Sequence, residues 1–306
     1  MPEIMSAKSR PRFSIVIPTY NTVDVLERCV QALADQNGDK EGIEIIIVND
    51  GGDGREPRAV SVLRDRIRIR YYVQDHQGPA AARNFGIEKA QGDIILFLDD
   101  DSMPVSNWLE ATIKAWGKFP DADGIGGCVA SDANDSIFCR VNADFFNWYL
   151  RQRSADPASV FLSTCNAGYK KTSLDRVGRF DDRFKRASGE DRDLNIRLLK
   201  QGGSLILDES VIVYHDRDLT LRSFARKNFN YGKAAYRIYA RYPEQKLMSS
   251  RGYAALFQLI LKEYAQFSQR VLAFCLLALS QIATALGYYS AVLSASKSGA
   301  RQIADA

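Results

Sequence analysis

Five consecutive apolar residues, Ile94-Ile95-Leu96-Phe97-Leu98, end abruptly at three aspartates, Asp99-Asp100-Asp101. A run this short, with no alternation, suits a strand buried on both faces of a parallel sheet. Parallel strands need long crossover connections, so the run commits the chain to α/β architecture. Open sheets of this kind bind ligands at the carboxyl ends of their strands. Three carboxylates delivered there repel one another, and at least one is driven toward its protonated form unless a cation sits between them. A hard divalent cation carrying phosphates is one reason to build such a cluster. A solvated acidic turn continuing through Ser102-Met103-Pro104 is the other.

The rest of the first half agrees with an α/β reading. Phe13 to Ile17, Ile43 to Val48 and Ile67 to Val73 read as further strands. Val23 to Ala34, Pro79 to Ala90 and Ser106 to Phe119 read as helices, the second opened by Gly78-Pro79. This alternation predicts a mostly parallel central sheet flanked by helices, with right-handed crossovers. After the first strand comes Pro18-Thr19-Tyr20-Asn21-Thr22-Val23 rather than Gly-x-Gly-x-x-Gly, and the chain has no Walker A sequence. Dinucleotide and P-loop enzymes are therefore disfavoured, because their phosphate cradle is missing. The second half is less regular. It predicts a strand at Gly124 to Ala130, an aromatic-rich helix at Phe145 to Arg153 and a strand at Ser159 to Thr164. A helix should start at Ser188-Gly189-Glu190-Asp191 and stop at Gly202-Gly203, and a short strand should run from Ser210 to Tyr214 into His215.

Bulk properties narrow the class further. At 306 residues, 46% hydrophobic and 25% charged, the chain is a folded protein of one large domain with or without an appendage. A net charge of +4 is too mild for a dedicated nucleic-acid binder. Five scattered cysteines with no Cys-x-x-Cys pair fit a reducing compartment, without a disulfide framework or structural zinc. Met1 to Arg12 is polar and lacks an apolar h-region, so the catalytic part is expected in the cytoplasm.

Taken in order, Pro18-Thr19-Tyr20-Asn21, Val48-Asn49-Asp50-Gly51-Gly52, Ala82-Arg83-Asn84, Asp99-Asp100-Asp101 and Gly189-Glu190-Asp191 resemble the pattern of glycosyltransferase family 2 on a GT-A fold. The likeness covers roughly residues 13 to 240. The family pattern has Asp where Asn49 stands and Ser where Gly52 stands. The resemblance implies inverting transfer from a nucleotide-diphosphate sugar, most simply a UDP-sugar. Tyr20 would stack on the base, with Pro18 and Thr19 shaping the pocket beside Asn49. Asp50 would accept the uracil imide N–H, and Arg83 would reach the pyrophosphate or donor sugar. Asp99 would contact ribose or sugar hydroxyls, with Asp100 beside it in a donor-binding role not further defined. Asp101 and His215 would hold Mg²⁺ or Mn²⁺, which stabilises the departing diphosphate. Asp191 would be the general base, with Glu190 binding the acceptor or supporting that base, and Asn166 would belong to the floor of the donor-sugar and acceptor site. Each has a plainer reading as a turn former, an ion pair, a packing group or a helix-terminal carboxylate.

Two stretches remain. Between Arg217 and Arg241, basic residues interleave with aromatics, which suits an interfacial helix facing headgroups or a lipid-linked acceptor as well as plain packing on the catalytic domain. Val271 to Leu293 has no charge and suits a transmembrane helix, flanked by Arg270 and by Lys297 and Arg301. A cytosolic hairpin with Tyr253 to Gln269, at a homodimer contact, stays open. The expected division is an N-terminal tail at 1–12, a GT-A catalytic domain at 13–218, a basic aromatic helix at 219–248 and an apolar helical extension at 249–306. The expected partners are a nucleotide-sugar donor, a glycan or lipid-linked acceptor and the cytoplasmic side of the cell membrane, in cell-surface polysaccharide or glycolipid assembly. A sugar-phosphate nucleotidyltransferase, or a non-catalytic membrane-associated protein that binds nucleotide sugars, would be the alternatives.

Overall fold

A computed structural model describes residues 12–297 apart from 39, 53, 133–134, 186–187, 216–218 and 246–249. The tail at 1–11, Arg217 and Arg301 lie outside the described residues, as do the side chains of Tyr253 and Lys297. Chain order is β1 (Phe13–Thr19), α1 (Val23–Ala34), β2 (Ile43–Asn49), α2 (Arg58–Leu63), β3 (Arg68–Val73), α3 (Pro79–Lys89), β4 (Ile94–Phe97), β5 (Met103–Pro104), α4 (Trp108–Lys118) and β6 (Gly124–Ala130). It continues with α5 (Ile137–Ser154), β7 (Ala167–Lys170), α6 (Lys171–Arg176), α7 (Glu190–Lys200), β8 (Leu205–Tyr214), α8 (Leu221–Arg241), α9 (Ser250–Glu263) and α10 (Phe267–Lys297).

The strands form one eight-stranded sheet in the order β3-β2-β1-β4-β7-β6-β8-β5. Its first four strands are mutually parallel, as the strand–helix alternation predicts. β7 then lies antiparallel between β4 and β6, β8 runs parallel to β6, and β5 closes the edge antiparallel to β8. The apolar run of β4 sits between β1 and β7, buried on both faces as its composition demands. β2 buries a charge as well as its isoleucines. Glu44 has no exposed surface, but its carboxylate accepts from Ser14 Oγ, the Gln91 N–H and the Arg70 guanidinium, each at 2.6 Å. Fully partnered, it does not break the strand.

Several sequence expectations are corrected. Ser159 to Thr164 is not a strand: Pro157–Ser159 is a single 3-10 turn and the residues after it join no sheet. Side chains hold this link instead, as Asn195 Nδ2 donates to the Leu162 carbonyl at 2.9 Å. The helix expected from Phe145 begins at Ile137, where the Ser136 hydroxyl accepts from the Cys139 N–H as an N-cap. The strand expected from Ser210 begins at Leu205. Met103-Pro104 is a strand rather than the end of an acidic turn.

Apolar layers cover both faces of the sheet, one gathering α1, α2 and α4, the other α3, α6, α7 and the Ile238 side of α8. A third cluster joins α5, α9 and α10 with Phe224 of α8. Where α8 meets α10, two glycines bring the backbones together. A Cβ on Gly232 would lie 1.9 Å from the Thr284 carbonyl oxygen, and one on Gly287 would lie 1.9 Å from that of Phe229. Gly232→Ala should therefore lower the urea midpoint by an equivalent of about 1–3 kcal/mol, since backbone cannot yield as a side chain can. Gly117→Ala, on an α4 face with nothing within 4 Å, should leave it unchanged or raise it.

Candidate active site

The carboxyl end of β4 delivers the three aspartates in different directions. Asp99 and Asp101 turn toward His215, which follows β8. His215 Nε2 lies 3.4 Å from Asp99 Oδ2 and 3.3 Å from Asp101 Oδ1. Ligand atoms of these three side chains all fall within 4.8 Å of one another. Two carboxylate oxygens and an imidazole nitrogen make a donor set that fits a divalent cation. Asp101 and His215, expected from the sequence as metal ligands, thus meet, and Asp99 joins them. Asp100 points the other way and accepts from the Thr19 hydroxyl at 2.8 Å and from the Thr22 hydroxyl. Burial pushes its carboxyl up to about 6, against the lowering effect of those two hydroxyls. It fastens the loop after β1 rather than facing the cleft, and the Thr19 hydroxyl is used in the same bond.

Arg83, on the first turns of α3, is expected from the sequence to reach a pyrophosphate. The structure buries it instead, at 3% exposure. One terminal nitrogen donates to Asp99 Oδ1 at 2.7 Å and the other to Glu190 Oε1 at 2.8 Å. Burial opposes its charge, but Asp99 and Glu190 more than compensate and keep the guanidinium firmly protonated. It is a strut between the acidic box and the start of α7. The fixed entry to α3 comes from Gly78, whose φ of +99° and close approach to the Lys185 carbonyl, 2.6 Å from a would-be Cβ, exclude other residues.

At the start of α7, Glu190 is buried and Asp191 is partly exposed. Glu190 also accepts the Ser188 N–H at 2.9 Å, and Ser188 holds φ at +111°, a strained value for a residue with a side chain. Asp191 accepts from the Arg192 N–H at 2.7 Å and from the Ser163 hydroxyl at 3.3 Å. Its carboxyl is pushed up to about 7, first by loss of water and then by the charge of Glu190, with Arg83 pulling the other way.

The ends of β1 to β3 form a second region. Tyr20 is 46% exposed, and its ring stacks on His76 with centroids 4.3 Å apart. Asp50 is buried beside them, and its oxygens are already crowded. Gln74 Nε2 and the Gln77 N–H reach Oδ1 at 2.7 and 2.9 Å, while the Gly78 N–H and His76 Nδ1 reach Oδ2 at 2.8 and 3.0 Å. A base N–H can be accepted here only by displacing one of these donors, which corrects the picture of a waiting acceptor. Asn49 turns away, its Nδ2 donating to Tyr71 Oη at 2.9 Å. Asn166 is also spent structurally. It donates to the Cys128 and Val211 carbonyls at 3.0 and 2.9 Å and accepts from the Trp108 indole at 2.9 Å, so it ties the sheet rather than lining the cleft. Pro18 lies half-buried at the end of β1.

Sequence reasoning missed three groups. His76, Gln74 and the 77–78 amides carry no motif; only their proximity to Asp50 identifies them. Ser163 sits in the segment misread as a strand. Lys227, one turn before Tyr231 on α8, belongs with the acidic cluster rather than with a headgroup-facing stripe. Burial pushes its amine down to about 8, while Asp101 and Asp99 hold it up. Its Nζ lies 5.7 Å from the Tyr231 ring centre.

A family model described as "Glycosyl transferase family 2" matches residues 14–178, just over half of the chain. The GalNAc(5)-diNAcBac-PP-undecaprenol beta-1,3-glucosyltransferase of Campylobacter jejuni is 27% identical over 244 residues, which are 76% of this chain and 72% of that protein. The chain spans about three quarters of some curated relatives and about half of others. Mannosyltransferase PcManGT from Pyrobaculum calidifontis, solved with GDP-Man and Mn²⁺, shares the fold at TM-score 0.61 and 20% identity, with 96% of this chain and 82% of that one covered. TarS 1-349 from S. aureus, solved with UDP-GlcNAc, aligns at TM-score 0.56 and 16% identity over 94% of this chain and 92% of that one.

The strut is the test of this geometry. Arg83→Met should leave Asp99 and Glu190 facing each other unpaired and destabilise the chain by about 3–5 kcal/mol in urea unfolding. A loss below about 1 kcal/mol would show that the two carboxylates do not depend on it.

Proposed function

The chain belongs to glycosyltransferase family 2, and from that premise we propose that it moves a sugar, with inversion, from a UDP-sugar to a hydroxyl of a glycan or lipid-linked acceptor. The observation that carries the reading is one buried guanidinium that bonds Asp99 of the Asp99–Asp101–His215 cluster at one end and Glu190, the neighbour of Asp191, at the other. Inverting transfer asks for a group that takes the acceptor proton on the face opposite the leaving diphosphate. Asp191 is the base in this reading, and Ser163 and the Arg192 N–H orient its carboxylate. Loss of water around its carboxyl, and then the charge of Glu190, keep its affinity for protons high, which suits a base working near neutral pH. Asp99, Asp101 and His215 would hold Mn²⁺ or Mg²⁺, and the imidazole favours Mn²⁺. The chemistry such an ion supplies is charge stabilisation on the diphosphate. Tyr20 and His76 offer ring faces to the base, and UDP-GlcNAc in the TarS structure supports uracil as that base.

The C. jejuni relative's undecaprenol-linked substrate supports a lipid-linked acceptor and a role in cell-surface polysaccharide or glycolipid assembly. We assign catalysis to 13–218, contact with both site and surface to 219–248, and association with the cytoplasmic face of a membrane to 249–306. A homodimer is compatible with this division.

Asp101→Ala should abolish metal-dependent binding of UDP-sugar, measured by thermal shift with and without EDTA; a wild-type response would remove the metal from the site. Asp191→Asn should keep donor binding and lose at least about 10²-fold in turnover. The pH profile follows from the raised carboxyl. The base must be ionised, so kcat/KM should hold a plateau above pH 7 and fall with unit slope below it. Glu190→Gln removes a charge that raises Asp191, so the acid limb should move to lower pH. An unmoved limb would place the titrating base elsewhere.

A further inference from the structure

One face of α10 is apolar along its length and is exposed among the described residues. Val271, Cys275, Ala278, Ile282, Leu286, Tyr289 and Leu293 recur every three or four residues and form one exposed stripe. The last four are 58%, 59%, 64% and 62% exposed. Phe257 and Leu261 of α9 and Phe267 at the start of α10 extend the patch. No charged residue occurs from Val271 to Ser296. The opposite stripe, with Ala273, Leu276, Ser280, Ala283 and Gly287, is buried. A continuous exposed apolar surface of this length marks an interaction face.

Among the described residues, Phe267–Ser296 is the one helix long and apolar enough to cross a membrane. Its buried stripe argues against that geometry. α8 is held on it by the Gly232 and Gly287 backbone contacts, by the bond from Thr284 Oγ1 to the Asn228 carbonyl and by the Tyr236–Tyr288 ring pair. α8 in turn packs Phe224 and Ile238 into the rest of the protein and carries six basic residues. A spanning α10 would draw those cations into hydrocarbon. Four of them, Arg222, Arg226, Lys233 and Arg237, share one helix face, with the three arginines exposed. That face lies roughly a quarter turn from the α8 residues that touch α10. The cations thus lie to the side of α10 and on the protein side of its apolar stripe, within the layer where anionic headgroups would meet a helix whose outer face enters acyl chains.

We propose that α9 and α10 form an in-plane anchor, with the outer stripe of α10 lying at the boundary between headgroups and acyl chains of an anionic phospholipid bilayer. The proposal rests on the membrane reading above only in taking a bilayer as its partner; neither donor nor catalysis enters its test. Cys275 is the one exposed cysteine of the five, and it lies within the stripe. The full chain, labelled there with an environment-sensitive fluorophore, is mixed with phosphatidylcholine vesicles with or without phosphatidylglycerol. The expected result is a blue shift with phosphatidylglycerol, quenched best by lipids spin-labelled near the headgroup. Ile282→Glu with Leu286→Glu, and separately Arg222→Glu with Arg226→Glu, should each reduce vesicle binding by about tenfold or more, with unchanged melting temperature in buffer. Strongest quenching by lipids labelled at the acyl end, with resistance to alkaline extraction, would make α10 a span; the in-plane anchor would fail while the membrane reading stood. Absence of vesicle binding would overturn both. If Leu286→Glu then also dissolved a concentration-dependent dimer, the occupant of this face would be a second copy of the chain.

Discussion

A single buried cation organises the cleft. Arg83 lies between Asp99 at the end of β4 and Glu190 at the start of α7, and without it three acidic groups would sit in one poorly hydrated space. Loss of water first, and then the charge of Glu190, keep the Asp191 carboxyl high even with the Arg83 cation near. Burial of the pair is costly in itself, so its value lies in fixing positions rather than in stabilising the fold. Position matters here because the residues on either side, the His215 cluster and Asp191, have to face one space from different elements.

The same logic continues outward from α7. Asp193, two residues past Asp191, is fully buried and accepts from Tyr242 Oη at 2.7 Å and from Arg197 Nε at 2.7 Å. Arg241 approaches Asp193 at 3.1 Å and Asp181 at 2.7 Å. The end of α8 is thereby tied to the helix that carries Asp191, while the body of α8 is tied to α10 through backbone contact at Gly232 and at Gly287 of α10. Lys227 and Tyr231 sit on α8 just before Gly232, within reach of the charges of Asp99 and Asp101. The apolar extension and the cleft thus share one helix.

Much of this was legible in the chain, and the reasons are local. Buried parallel strands announce themselves as unbroken apolar runs, so β1, β2 and β4 could be placed from composition, along with the strand ends that carry Tyr20, Asp50 and the aspartates. What the runs do not carry is partnership. β7 is an ordinary short segment whose antiparallel place beside β4 is set by tertiary packing, and β5 is two residues long. Some side-chain partners were hidden for the same reason. Arg83, Asp100, Asn49 and Asn166 are polar residues next to a cleft, and sequence cannot say whether such a group faces outward or is consumed by a buried neighbour. Arg83 is consumed by Glu190, Asp100 by two threonine hydroxyls, Asn166 by two carbonyls and an indole. His76 was invisible because nothing in its own segment marks it, and Lys227 was visible only as one of a basic stripe; each acquires its place from an element distant in the chain.

The distance along the chain between Arg83 and Glu190, 107 residues, has a kinetic side. Contacts so far apart in sequence are entropically expensive to close, and they form only after the intervening segments have been ordered. A chain emerging during synthesis would present β1 to β4 with the Arg83 guanidinium unsatisfied by α7 until more than a hundred further residues had followed. The cleft is therefore a late product of folding, completed when the two halves of the sheet are joined across β4 and β7. Mutations that slow that joining would lower the yield of competent molecules without altering how each competent molecule works.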